Sequence, residues 1–349
     1  MKYRWIAFFM VAFFVGRPLM AFYDGKIEHT FSISAPTALQ VFLVGEMNNW
    51  QEATLPMEKD ASGVWKLTLS LEAGRWMYKF VVDGVWQCDE NNPNRRADGF
   101  GGFNSIVVLG TFEDYGNFNP AVAHGDVFAI TIFSTILNDN ISFNVYTPPR
   151  YPEESSASFP VLFLLHGYGM NERQWFDDGL INNYLDNLID AKKITPFIVV
   201  TPSVGTAGYR GKQERAIVEE IYPHIQKTFR IKKGKESTAI AGISMGGLGA
   251  FDLAYAHQDI FGLAIPISGI FYDKYMELYL EEVFHIYFQL KIYVGTEDSE
   301  IFAANENLIE RLKNDRAPFS YTPSKGAHTW RYWNSITENF LSDAATFFK

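Results

Sequence analysis

An all-β sandwich followed by a mostly parallel β-sheet with helices on both faces is the architecture this sequence predicts, and three observations carry the prediction. The chain has 349 residues, about twice the usual length of one domain. Up to residue 109 its apolar residues fall in short alternating runs broken by turn formers, with no helical period. Beyond residue 125 buried-looking strands alternate regularly with helical stretches, the pattern of parallel strands joined by crossover helices.

Within the sandwich region, 22–111, strands are expected at 27–34, 39–45, 64–71, 76–82 and 105–109. Residues 112–125 carry turn formers and no period, and read as a linker. In 126–349, strands at 128–133, 141–147, 161–165, 197–201, 238–241, 263–267 and 291–294 alternate with helices at 181–192, 213–228, 246–257, 301–313 and 334–348.

Forty Asp plus Glu stand against thirty Lys plus Arg, a formal charge of -10 that repels phosphate backbones and argues against nucleic acid as a partner. At the N-terminus, Lys2 and Arg4 precede an apolar run over 5–16, and Ala21 offers a small residue at a cleavage point. We read 1–21 as a signal peptide, with an uncleaved anchor as the alternative because Leu19 fits the cleavage rule poorly; no transmembrane segment is expected in the mature chain. Export to the periplasm or medium follows. Cys88 is the single cysteine, so no intramolecular disulfide or thiolate metal cluster can form, and its neighbours Gln87 and Asp89 offer nothing to activate the thiol.

Gly242, Ser244 and Gly246 spell G-x-S-x-G between an apolar strand and a glycine-rich apolar helix, the strand-turn-helix elbow that pushes a serine hydroxyl out over a sheet edge. Such a serine needs a base, and the base needs an orienting acid. On elbows of this kind the acid and then the histidine follow the nucleophile in the chain. Of the three histidines after Ser244, His257 ends the elbow helix and His285 lies in an aromatic stretch, both structural settings. His328 lies in a turn-rich loop before the last helix and is the expected base. Glu297 and Asp298 follow a strand that ends at Gly295; either carboxylate reaches an imidazole, and Asp298 is preferred with Glu297 as the alternative. The oxyanion donors are expected to be the backbone N–H of Met245 and one from the glycine loop after 161–165, on Tyr168 or Gly167. His166, which precedes the nucleophile beside a strand end, reads as structural.

Leu165-His166-Gly167, Gly242-Ile243-Ser244-Met245-Gly246-Gly247, Gly295-Thr296-Glu297-Asp298 and Gly326-Ala327-His328-Thr329-Trp330 resemble the esterase D-type branch of the α/β-hydrolases. Feruloyl, acetyl-xylan and enterochelin esterases belong to that branch. Trp175 and Glu220-Ile221-Tyr222-Pro223 are lesser matches, and the resemblance covers about 126–349. It implies Ser244 as nucleophile, Asp298 as acid, His328 as base, Met245 and Tyr168 as oxyanion donors, and neither metal nor cofactor.

Residues 41–50, 74–86 and 103–104 are similar to the glycogen-binding domain of the AMP-activated kinase β subunit and to family-48 carbohydrate-binding modules. Carried over, Trp50 and Trp86 stack on sugar faces, Lys79 and Asn104 bond hydroxyls and Phe100 flanks them; Met47 stands where the family usually has Phe. Two arrangements remain open, a stacking surface remote from the chemistry or rings used as core and interdomain packing. The expected function is an exported serine esterase removing feruloyl or acetyl groups from a polysaccharide or oligosaccharide. Alternatives are an enterochelin-type siderophore esterase, whose trianionic substrate calls for a basic cleft while only Arg173, Arg210 and Lys212 fall near expected loops, and a glycan-binding protein with a decayed hydrolase domain.

Overall fold

The structure is a computed structural model that describes residues 26–111, 116–151, 156–276 and 285–349. The expected signal segment 1–21 lies outside the described residues. Among those described, no helix is long and apolar enough to cross a membrane.

The N-terminal strands are β1 (Lys26–Ser34), β2 (Val41–Gly45), β3 (Glu58–Lys59), β4 (Val64–Glu72), β5 (Gly74–Val82), β6 (Val85–Gln87), β7 (Arg95–Ala97) and β8 (Phe103–Leu109). They form two antiparallel sheets, β1-β4-β3 and β2-β5-β8-β7, with β6 on β5. Side chains alternate across β5, so Trp76, Tyr78 and Phe80 enter the core with Phe31, Leu43 and Trp65, and Met77 and Lys79 face the opposite way. The strand expected at 39–45 starts two residues later: Leu39 is 90% exposed, and its N–H bonds the Asp83 carboxylate at 3.0 Å instead of a ladder.

Eight further strands make one sheet: β9 (Asp126–Ser134), β10 (Asp139–Thr147), β11 (Val161–Leu165), β12 (Ile198–Pro202), β13 (Thr238–Ile243), β14 (Leu263–Ile267), β15 (Gln289–Gly295) and β16 (Ser320–Ser324). Their order is β16-β15-β14-β13-β11-β12-β10-β9, parallel from β16 to β12 and antiparallel at the β12-β10-β9 end. Residues 161–165 show why both faces are covered. Val161, Phe163 and Leu165 enter one core, while Leu162 and Leu164 enter the other.

The longer helices are α1 (Ile181–Asp190), α2 (the run Lys212–Arg215, Ala216–Ile221 and Tyr222–Thr228), α3 (Met245–Ala256), α4 (Ser299–Asn314), α5 (Trp330–Ser335) and α6 (Thr337–Phe347). The single helix expected over 334–348 is instead two, because Ile336 at φ -107°, ψ 3° leaves helical geometry between them. Glu220 of α2 ties the β9–β10 turn, accepting from the Thr135 N–H at 2.8 Å and the Thr135 hydroxyl at 2.7 Å.

The sandwich docks on the α/β layer through charged pairs distant in sequence. Arg75 Nη1 donates to the Asp177 carbonyl at 3.0 Å, Arg96 pairs with Asp178, and Arg331 at the start of α5 pairs with Glu72 while lying 4.7 Å over the Trp76 ring. These contacts turn the outer face of β5, with Met77 and Lys79, toward the C-terminal ends of the parallel strands.

Candidate active site

Ser244 sits between β13 and α3 at φ 56°, ψ -118°, a conformation rare for a residue with a Cβ. The flanking glycines make that turn possible: a Cβ on Gly242 would stand 2.3 Å from the Gly246 carbonyl oxygen, and one on Gly246 would stand 2.6 Å from the Leu165 and His166 oxygens. The side chain therefore emerges at the head of α3. His328 Nε2 lies 2.8 Å from Ser244 Oγ, and His328 Nδ1 lies 2.5 Å from Asp298 Oδ2. Glu297, one residue earlier, points instead toward Lys325 at 3.7 Å, so the carboxylate on the imidazole is that of Asp298. Thr329 caps α5 by accepting the Tyr332 N–H, and the Trp333 ring meets the imidazole edge-on at 5.1 Å. In this arrangement the imidazole can take the serine proton while the carboxylate holds its other nitrogen.

Gly167 and Tyr168 come alongside: a Cβ on Gly167 would stand 3.5 Å from Ser244 Cβ. His166 is turned away from the serine. Its Nε2 accepts the Val204 N–H at 3.0 Å, its Nδ1 donates to the Gly167 carbonyl at 2.7 Å, and burial pulls its pKa down to about 4. It is a neutral strut beneath the Gly167 loop. His257 is likewise engaged, 2.9 Å from Glu214.

Ser244 stands where two cavities meet. One, of about 670 Å³, is walled by Trp50, Trp86, Phe100, Tyr168, Trp330 and Trp333, with Met77 and Met170 between the rings. The other, of about 450 Å³, is more polar than the first, with Gln51, Tyr272, Glu297 and Glu300 beside Ile270 and Ile301 among its walls. Asn49 and Trp50 of the sandwich border both cavities, as Ser244, His328 and Thr329 do. Asn49 and Trp50 have positive φ, 55° and 59°, held by a turn in which Asn48 accepts the Gly45 N–H at 2.9 Å and donates to Thr54 Oγ1 at 2.8 Å. That turn presents the Trp50 ring.

The family described as a putative esterase matches residues 134–338, which hold all of these C-terminal residues. The chain belongs to this esterase family. Residues 35–115 match the glycogen recognition site of AMP-activated protein kinase. An endo-1,4-beta-xylanase/feruloyl esterase of Xylanibacter ruminicola is 28% identical over 326 residues, 88% of this chain; the chain spans only 43% of that relative's length. Among solved structures, the enterobactin esterase of Shigella flexneri superposes with TM-score 0.68 at 18% identity over 92% of this chain and 94% of its own. A ferulic acid esterase superposes with TM-score 0.60 at 24% identity over 65% of this chain and 100% of its own. At these identities the two structures speak for the fold. The family gives esterase as the coarse class of activity.

In this esterase the sandwich rings are neither remote nor core. Trp86 is 39% and Phe100 86% exposed, and together with Trp50 and Asn104 they line the cavity that contains Ser244. Of the expected arrangements, core or interdomain packing and a stacking surface remote from the chemistry, the remote one does not hold, because the docked sandwich turns these rings onto the cavity of the serine. Trp50 and Trp86 lie nearly parallel, centroids 6.5 Å apart, and Trp86 Nε1 donates to Glu52 at 2.6 Å. The Lys79 ammonium is held by Asp98 at 2.5 Å. Sequence reasoning missed Glu46, which borders the same cavity. Its carboxyl accepts the Met77 N–H at 2.9 Å, and burial, opposed by the Met77 and Trp330 amides and by Arg331 and Arg96, pushes it up to about 7. The one available signal was a charged residue directly after the apolar strand 41–45.

Proposed function

We propose that this esterase is a serine carboxylic-ester hydrolase that removes an aromatic acyl group of the feruloyl type from a polysaccharide or oligosaccharide. The observation that supports it most is the ring-lined cavity shared by Ser244 and the sandwich. Six aromatic side chains suit a flat acyl group, and Gln51, Tyr272, Glu297 and Glu300 of the second cavity offer hydrogen-bond partners to a hydroxyl-rich alcohol. His328 takes the Ser244 proton as Oγ attacks the ester carbon. The oxyanion rests on the Met245 and Tyr168 N–H groups, and His328 returns the proton to the departing alcohol. Water, activated by the same imidazole, then releases the acid. The relative named as a xylanase/feruloyl esterase supports the substrate class, and the 1–21 segment supports export.

A trianionic siderophore fits this cleft poorly. Arg173 pairs with Asp177, Arg210 is held by Asp252, and Lys212 borders a different cavity, while Glu46, Asp98, Glu297 and Glu300 face the two cavities at Ser244. Purified protein is therefore expected to turn over methyl ferulate and feruloylated xylan in preference to acetylated xylan and ferric enterobactin. Preference for ferric enterobactin would overturn the assignment. Turnover should be indifferent to EDTA, since the mechanism routes no step through a metal. Loss in EDTA restored by a divalent ion would contradict the mechanism.

Replacing Trp50 and Trp86 together by Ala removes two walls from the ring-lined cavity. We expect kcat/KM on methyl ferulate to fall by roughly ten- to a hundredfold, about 1 kcal/mol for each ring contact, while p-nitrophenyl acetate, whose acyl group is a single methyl, changes by less than about threefold. Equal losses on both esters would show that the rings support the fold and do not hold the acyl group.

A further inference from the structure

The loop Asp98-Gly99-Phe100-Gly101-Gly102 between β7 and β8 is braced from within. Asp98 N donates to the Gly102 carbonyl at 3.0 Å, and Asp98 Oδ1 accepts the Phe100 and Gly102 N–H groups at 2.8 and 2.9 Å. Asp98 Oδ2 is anchored to Lys79 on β5, with both side chains largely buried. The tip of this rigid loop lies directly against the α/β layer. A Cβ on Gly169 would stand 2.5 Å from Gly99 Cα, closer than atoms pack, and a Cβ on Gly99 would stand 3.1 Å from the Tyr168 ring and 3.3 Å from Gly169 Cα. Phe100 and Tyr168 meet ring to ring at 5.8 Å. Two glycines with left-handed φ, 80° at Gly99 and 70° at Gly169, thus let two backbones from different layers touch. On the far side of that contact the next residues are Tyr168 and Gly167, packed beside Ser244.

We propose that the 98–102 loop of the sandwich is a positioning element for the oxyanion loop, acting on the Tyr168 N–H through the contact between Gly99 and Gly169. This rests on the reading of Ser244 as nucleophile and Tyr168 as oxyanion donor. The physical reason is the tolerance of such a site: a donor stabilises the tetrahedral oxyanion only from hydrogen-bonding distance, and displacement by about 1 Å costs up to a hundredfold in rate. His166 holds the Gly167 loop by its own hydrogen bonds, and at Gly169 the loop meets Gly99 of the sandwich. On this account the sandwich contributes to hydrolysis of every ester, including those with no sugar for it to bind.

Gly99→Ala in the full chain tests this, with Gly84→Ala as the control. Gly84, in the turn between β5 and β6, also has left-handed φ, 84°, but a Cβ there meets nothing within 4 Å and it lies outside the 98–102 loop, so it reproduces the backbone strain without the contact. On p-nitrophenyl acetate, Gly99→Ala should lower kcat by about ten- to a hundredfold with KM within about twofold, and Gly84→Ala should stay within about twofold of wild type. Affinity for a boronic acid, whose tetrahedral adduct places oxygen in the oxyanion position, should fall with kcat in Gly99→Ala alone. If Gly99→Ala does not fold, Gly169→Ala makes the same contact from the other side and is read the same way. Wild-type kcat and boronate affinity in Gly99→Ala, or losses equal to those of Gly84→Ala, would overturn the proposal. A Ser244→Ala variant that keeps its turnover would instead remove the reading on which it rests.

Discussion

Ser244→Ala is expected to lower kcat on a soluble ester by roughly four to six orders of magnitude while the protein stays folded, because on the proposed mechanism its hydroxyl, 2.8 Å from His328 Nε2, forms the acyl intermediate. His328→Ala should cost nearly as much and Asp298→Asn somewhat less, about four orders, since an amide on His328 Nδ1 favours the wrong tautomer without moving the ring. Combined variants should add little to the serine change, because on the proposed mechanism the three groups act on one proton. Glu297→Gln, whose carboxylate faces Lys325, should leave kcat within a few-fold. Single-turnover assays with melting curves on each variant decide the matter. Near-normal turnover in Ser244→Ala would remove the hydrolase mechanism, and full activity in Asp298→Asn with loss in Glu297→Gln would move the acid by one residue.

The second large effect is on stability. Burial holds His166 at about 4 against an ordinary 6.5, so between those values the unfolded chain binds a proton that the folded chain does not, and stability falls as the pH is lowered through that window. Glu46 acts in the opposite sense. Its carboxyl is pushed from 4.5 up to about 7, so the folded chain holds a proton that the unfolded chain has lost, and stability falls as the pH is raised through the window. At about 1.4 kcal/mol per unit, each amounts to roughly 3 kcal/mol, and over the shared range near pH 4.5 to 6.5 the two slopes oppose. Glu46→Gln removes one of them. The variant's stability relative to wild type should therefore improve by about 3 kcal/mol between pH 4.5 and pH 8, with the other titrating groups cancelling in the difference. Urea unfolding of both proteins across that range measures it. A difference that does not change with pH would show that Glu46 is not buried as described.

Much of the α/β layer was legible because its determinants are local. Strands such as 161–165 are apolar on both faces, which only a sheet covered on both sides tolerates, and the helices between them end within a few residues of where periodicity places them. The elbow was legible for the same reason. Glycines that a Cβ would drive into backbone at 2.3 to 2.6 Å must be glycine in any sequence that makes this turn, so the motif and its geometry are one observation. Less was legible at 334–348, where helical propensity continues through Ile336 but the chain must turn to pack Trp330 and Trp333 beside the serine loop and Phe340 and Leu341 into the core.

By itself, then, the sequence determined the two layers and the small set of residues proposed to carry the chemistry: the serine on its elbow, a histidine after β16, and a carboxylate after β15. Tertiary structure alone decided between neighbours and between layers. Glu297 and Asp298 have the same chemistry, and only the turn from β15 into α4 sends one to Lys325 and the other to the imidazole. Trp50, Trp86 and Phe100 carry no mark of their distance from Ser244. They reach its cavity because Arg75, Arg96 and Arg331 pair with groups about eighty to two hundred and sixty residues away, and pairings of that separation leave no period or motif in a single chain.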